Sequence, residues 1–169
     1  MSAFPYRRVL VIGSPGSGKS TFSRGLRDHT DLPLVHLDLL YWRADKTTLT
    51  REEFLILLEG ELAKEAWIID GNYSFTMERR LARADAVFFF DLPVEKCLDG
   101  IRKRRNQPRA DMPWIETQED AEFTAFVREF PSSRKPQILQ LLAKYPSVPV
   151  VTFHSHGEAD EYLKEITAL

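Results

Sequence analysis

The chain of 169 residues predicts an α/β fold, a three-layer doubly wound sheet of five parallel strands, and three observations carry that reading. Short β-rich runs, apolar on both faces, recur along the sequence. Segments with helical spacing separate them, the pattern of a parallel sheet covered on both sides. With 43% hydrophobic and 28% charged residues, the chain is long enough for one buried core and too short for two ordinary domains, so residues 1–169 are expected to form a single unit.

The strands are expected at Val9–Ile12, Leu34–Leu37, Trp67–Ile69, Ala86–Phe90 and Val148–Phe153, each bounded by turn signals. Helical spacing marks Ser20–Arg27, Glu52–Lys64, Met77–Arg83 and Val94–Arg105. Thr50 and Glu53, ahead of Phe54, Leu57 and Leu58, have capping-box spacing. Ser155 and Glu158 repeat it before a last helix carrying Tyr162, Leu163 and Ile166. The alternation breaks at Asn106–Pro136, where Pro108, Pro113, Pro131 and Pro136 stand among polar residues with Trp114, Phe123, Phe126 and Phe130. This segment reads as a mobile excursion, a lid and following helix at about 106–136, on a core of 1–105 and 137–169.

Charge and cysteine usage narrow the function classes. Lys and Arg total 23 against 25 Asp and Glu, so a net charge of -2 gives no global pull toward nucleic acid or anionic membrane. The single Cys97 excludes an internal disulfide, which suits a reducing cytosol, and its apolar neighbours Val94 and Leu98 read it as a small buried hydrophobe. No run approaches the ~18 consecutive apolar residues of a spanning helix. The N-terminal MSAFPYRR leads only into the short run VLVI, a strand rather than a signal peptide. A cytoplasmic protein is expected.

Gly13-Ser14-Pro15-Gly16-Ser17-Gly18-Lys19-Ser20 matches G-x-x-x-x-G-K-[ST] where a strand passes into a helix. Glycines let backbone N–H groups converge on phosphate oxygens, and the helix N-terminus adds its partial positive charge. The stretch Gly13–Thr21 is therefore expected to hold ATP, with Lys19 reaching the β and γ phosphates and the Ser20 hydroxyl on Mg²⁺. A GTP switch would add Asp-x-x-Gly and Asn-Lys-x-Asp, and a motor ATPase an apolar strand ending Asp-Glu; the sequence carries none of these. A small kinase remains.

The phosphate loop, with Trp67-Ile68-Ile69-Asp70-Gly71-Asn72-Tyr73, Phe89-Phe90-Asp91-Leu92-Pro93-Val94-Glu95 and Arg102-Lys103-Arg104-Arg105, resembles the adenylate-kinase-type P-loop kinases. Within that group, His36-Leu37-Asp38 leading to Tyr41-Trp42, the Asp70–Tyr73 turn, and Phe130-Pro131 before Arg134 resemble the topology modulation proteins. The resemblance implies strand order 2-3-1-4-5, magnesium–ATP as phosphoryl donor, and a lid after the fourth strand. Two departures stand out. Adenylate kinases follow Asp-Gly with Phe-Pro-Arg, the arginine gripping the acceptor phosphate; here the residues are Asn72, Tyr73 and Ser74. Their helix after the Asp-x-Pro segment carries an early arginine where this chain has Gly100, while the later Arg-Arg pair is matched by Arg104 and Arg105.

By the same resemblance, Asp70 lies beside the phosphate loop and, with Ser20, serves the metal, while Asp91 more simply starts a turn before Pro93. Asp38, at the carboxyl end of the second strand where parallel sheets place ligands, resembles the aspartate with which small-molecule kinases orient an acceptor hydroxyl. Its alternative is a loop carboxylate pairing with Arg43. Tyr41 and Trp42 either stack on an acceptor ring or plug the core. Arg104 and Arg134, with Arg128, are expected as lid arginines neutralising phosphoryl charge; a solvated helix end is the bland alternative. His154-Ser155-His156 reads as a loop and cap. The expected activity is ATP-dependent phosphotransfer to a small acceptor, a hydroxyl rather than a nucleoside monophosphate. The rival is a nucleotide-switched regulatory protein touching DNA. Convergence of Asp38, Tyr41, Trp42, Asn72 and Tyr73 on one pocket distinguishes the two.

Overall fold

The structure, a computed structural model, describes residues 2–167. In chain order its elements are β1 (Ser2–Ala3), β2 (Arg8–Gly13), α1 (Lys19–Thr30), β3 (Leu34–His36), α2 (Leu37–Tyr41), α3 (Arg51–Leu62) and β4 (Trp67–Asp70). A 3-10 turn at Ser74–Thr76 then leads to α4 (Met77–Leu81), β5 (Ala86–Phe90), α5 (Val94–Arg104), α6 (Ala121–Ala143), β6 (Val150–Phe153), α7 (His156–Glu165) and β7 (Ile166–Thr167).

β2 is central because its run Val9–Ile12 is apolar and buried on both faces. It pairs in parallel with β4 and β5; β3 extends the sheet beyond β4 and β6 beyond β5. The order β3-β4-β2-β5-β6 is the expected 2-3-1-4-5 of the five main strands. The period-2 alternation of β2 divides the core. Val9 and Val11 pack with Phe22 and Leu26 of α1, Cys97 and Leu98 of α5 and Ala159 of α7. Leu10 and Ile12 pack with Phe54, Leu58 and Leu62 of α3, Met77 and Leu81 of α4, and Phe130 and Ile138 of α6.

Several boundaries differ from expectation for local reasons. β3 stops at His36, and Leu37 opens the short α2, so Asp38 lies in a first helical turn instead of a loop. Ile166, expected in the last helix, is buried in β7, which pairs in parallel with β1. The Thr50–Glu53 capping box forms in both directions. At α7 only half of it does: Ser155 Oγ accepts from the Glu158 N–H, but Glu158 reaches back to the N–H of His154.

The largest difference is α6. It continues as one helix through Pro131 and Pro136, past the expected end of the excursion. An internal proline costs a helix roughly 3 kcal/mol. Phe123, Phe126, Val127, Phe130, Ile138, Leu141 and Leu142 recur at helical spacing and pack onto the two cores. Burial at about 2 kcal/mol per large apolar side chain outweighs the two prolines.

Candidate active site

The phosphate loop spans the end of β2 and the start of α1, and two close backbone approaches fix it. Gly16 has φ 78°, and a Cβ there would stand 2.2 Å from the Cys97 carbonyl oxygen of α5; a Cβ on Gly100 would stand 2.2 Å from the Gly16 carbonyl oxygen. Gly100, the residue in place of an arginine, is thus the seat on which the loop rests. Gly18 caps α1 with no side-chain hydrogen bond, leaving the first N–H groups of the helix available to an anion. Ser17 Oγ donates to the Ser14 carbonyl at 2.6 Å, and so does Lys19 Nζ at 2.9 Å.

A cavity of about 610 Å³ opens over this loop. Lys19, Ser20, Thr21 and Arg24 line it from the start of α1 and Lys103 from the end of α5, and Asp38, Asp70, Asn72 and Tyr73 line it at the carboxyl ends of β3 and β4. Arg104, Arg109 and Asp111 reach it from the end of α5 and the segment after it. Burial pushes the Lys19 ammonium down to about 8, against the opposing pull of Asp70. Burial, then the neighbouring Arg109, also depresses Arg104. Its Nε is buried without a hydrogen-bond partner among the described residues. An orphaned guanidinium donor and a strongly desolvated ammonium on one cavity wall fit an anionic ligand.

Asp70 ends β4 opposite Val11 of β2 and is buried, and its Oδ2 lies 2.7 Å from His36 Nδ1 on β3. Strand register dictates that pair, because His36 and Asp70 are partners across β3 and β4. Asp38 accepts a 2.5 Å hydrogen bond from the Tyr73 hydroxyl. Burial raises the Asp38 carboxyl above the ordinary carboxylate range, while that hydrogen bond and Lys19 pull the other way. Tyr73 is held above the ordinary phenol range by burial and by the facing carboxylate, so it remains a neutral donor. Its backbone has φ 34°, a conformation an L-residue adopts only when its surroundings over-determine it.

The remaining expected residues are distributed more widely. Asn72 lines the cavity, but its amide bridges Gly13, donating to the carbonyl at 2.7 Å and accepting from the N–H at 3.0 Å. Tyr41 packs edge-on against Tyr73 and Phe54 behind the wall. Trp42 turns to Trp114, with ring centroids 5.4 Å apart, and neither Tyr41 nor Trp42 lines the cavity. Arg134 is exposed on α6 with its guanidinium over the Phe126 ring, and Arg128 pairs with Glu95. Asp91 pairs with Lys135 of α6 at 2.7 Å. His156 lies against the loop, its Nε2 3.2 Å from the Ser17 carbonyl oxygen.

Two further residues shape the site without a motif to mark them. Arg80 is fully buried and donates to Thr76 Oγ1 at 3.0 Å, to the Gly71 carbonyl at 2.9 Å and to the Asn72 carbonyl. It organises the turn from which Asn72 grips the phosphate loop. Its signal in the sequence is its place on the apolar face of α4, between Met77 and Leu81. Asp111 carries no signal: it stands in an irregular segment among prolines.

No protein-family model and no curated protein matches the sequence. Solved structures do. Shikimate kinase from Bacteroides thetaiotaomicron superposes with a TM-score of 0.63 at 15% identity, over 94% of this chain and 95% of that one. Shikimate kinase from Acinetobacter baumannii, in complex with shikimate, superposes with a TM-score of 0.63 at 15% identity, over 95% of this chain and 90% of that one. The chain therefore has the P-loop kinase fold of these enzymes across nearly its whole length.

Proposed function

We propose that the chain transfers the γ-phosphoryl group of ATP to a hydroxyl group of a small acceptor. The observation that carries this reading is the placement of Lys19 and Asp38 on one cavity: a desolvated cation on the phosphate loop and a half-buried carboxylate across from it. An acceptor that is already a phosphate needs cations and no base, whereas an alcohol gains from a carboxylate that orients or takes its proton. Burial raises the proton affinity of Asp38, and Tyr73 fixes the direction of its lone pairs. One structural neighbour is a shikimate kinase in complex with shikimate, a compound that bears hydroxyl groups, and this accords with the reading.

The residues present fit magnesium–ATP. Mg²⁺ in phosphoryl-transfer sites takes one or two protein groups beside phosphate and water, a set that Ser20 and Asp70 would supply. When bound, the metal neutralises phosphate charge. His36 holds the Asp70 carboxylate in orientation, Lys19 and the first turn of α1 position the phosphates, and Arg104 has an unpaired Nε for the oxygens of the migrating group. Arg24, whose Nη1 donates to Ser20 Oγ in the structure, gives up that hydroxyl on loading. Positioning and charge stabilisation are what this chemistry requires.

The motif set also supports placing the chain with the topology modulation proteins, and the single Cys97 suits a reducing cytosol; both supports rest on the sequence. No helix among the described residues is long and apolar enough to cross a membrane. The test of the activity is a comparison of folded wild-type and Lys19→Ala proteins. The substitution should weaken ATP binding by on the order of 2 to 3 kcal/mol and abolish acceptor-stimulated ADP release. Unchanged ATP affinity would reject the donor site.

A further inference from the structure

The segment between α5 and α6 brings a second carboxylate to the acceptor end of the cavity, and from it we infer that the acceptor carries no anionic group. It is a donor-rich compound, a polyol or an amino alcohol, held by Asp111 while Asp38 faces the reacting hydroxyl. This rests on the phosphotransfer reading above.

Asp111 is only 9% exposed and lines the same cavity as Asp38. Arg109 fixes it in a bidentate pair, with Nε 3.0 Å from Oδ1 and Nη2 2.7 Å from Oδ2. The third guanidinium nitrogen of Arg109 lies 3.4 Å from Glu116 Oε1. Arg109 is therefore committed to two carboxylates, and the group retains one negative charge in excess. Asp38 adds another carboxylate nearby; the two aspartates sense each other's charge. Arg104, the remaining guanidinium on this wall, stands between the two ends: it lies within the field of Lys19 and equally within that of Arg109, Glu116, Asp111 and Asp38. Counted with Arg104, this group still sets three carboxylates, Asp38, Asp111 and Glu116, against two guanidiniums, Arg104 and Arg109, and so keeps one negative charge in excess.

The segment is held in place independently of these charges. Trp42, which caps the helix bearing Asp38, meets Trp114, three residues beyond Asp111, and Lys46 sits over the Trp114 ring at 5.8 Å. The two lips of the cavity, each with its aspartate, are thereby joined. A carboxylate with both oxygens anchored by one guanidinium still has lone pairs for hydroxyl or ammonium donors. A carboxylate or phosphate on the acceptor would meet like charge in a desolvated space.

Matched pairs of acceptors that differ in charge test this. Binding to the protein loaded with magnesium and a non-hydrolysable ATP analogue, and stimulation of ADP release with ATP, are measured for methyl shikimate against shikimate, adenosine against AMP, and glucosamine against glucuronate. The uncharged or cationic member should be favoured by about tenfold or more, and Asp111→Asn, with nucleotide occupancy verified, should narrow that ratio by a similar factor. Preference for adenosine or glucosamine tells the polyol from the amino alcohol. Tighter binding and faster turnover of the anionic members would overturn the inference and leave the kinase reading standing. A wild-type protein that binds nucleotide yet neither binds nor is stimulated by any member would reject both. Should Asp111→Asn fail to fold, the wild-type ratios still decide.

Discussion

At the scale of single residues, the proposed role of Lys19 predicts that nucleotide binding is linked to a proton. Burial removes the hydration of the Lys19 ammonium and pushes it down from 10.5 to about 8. Phosphate oxygens favour the charged form, so binding should take up protons as the pH rises through about 8, and ATP affinity should fall over the same range. Titration calorimetry in two buffers of different ionisation enthalpy reads the uptake directly; buffer-independent heats at pH 8 would contradict it. The sign for stability is opposite. The unfolded chain holds the Lys19 proton more tightly than the fold does, so this residue makes the ligand-free protein gain stability as the pH rises from about 8 toward 10.5. Arg104 should behave differently from Lys19. Its orphaned Nε suits charge that develops on the migrating group, so Arg104→Ala should lower kcat by about 10²–10³-fold while changing ATP affinity far less. Equal losses in both would make it a simple binding residue.

At the scale of elements, the phosphate loop is positioned by its neighbours as much as by its own glycines. Gly100→Ala places a methyl 2.2 Å from the Gly16 carbonyl oxygen, where both partners are backbone and neither can yield cheaply. It should weaken ATP binding by at least about tenfold in a protein that still unfolds cooperatively, since the seat is lost and the core is not touched. Undiminished binding would show that α5 does not set the loop. The phosphate loop, Asp38 and the five main strands are legible in the sequence because each depends on local chemistry: glycine and lysine spacing, a carboxylate at a strand end, apolar runs bounded by turns. What is not legible depends on tertiary contact. The prolines of α6 read as breaks because the burial that offsets them is supplied by the sheet. The engagement of Asn72 with Gly13 joins residues 59 apart in sequence, and Arg80 looks like any helical arginine until its three acceptors are seen.

At the scale of the molecule, the cleft has two lips, one carrying Asp38 and the other Arg109 and Asp111, and the Trp42–Trp114 contact spans them. Of the three tryptophans, Trp67 is buried in the core, so changes in indole emission on ligand binding report on this pair. Trp114→Ala forfeits an aromatic contact worth about 0.5–1.5 kcal/mol beyond its buried area and should raise the acceptor KM while leaving the ATP dissociation constant nearly unaltered. An equal change in both constants would place the contact outside the acceptor end. Asp38 tests the central claim most directly. Asp38→Asn preserves size and hydrogen bonding to Tyr73 but removes the charge. Acceptor-dependent ADP release, followed with hydroxyl compounds and with nucleoside monophosphates in parallel, should fall by roughly 10²-fold or more for the hydroxyl compounds, with ATP affinity little changed. Phosphorylation of a nucleoside monophosphate by this variant at the wild-type rate would contradict the hydroxyl-acceptor account.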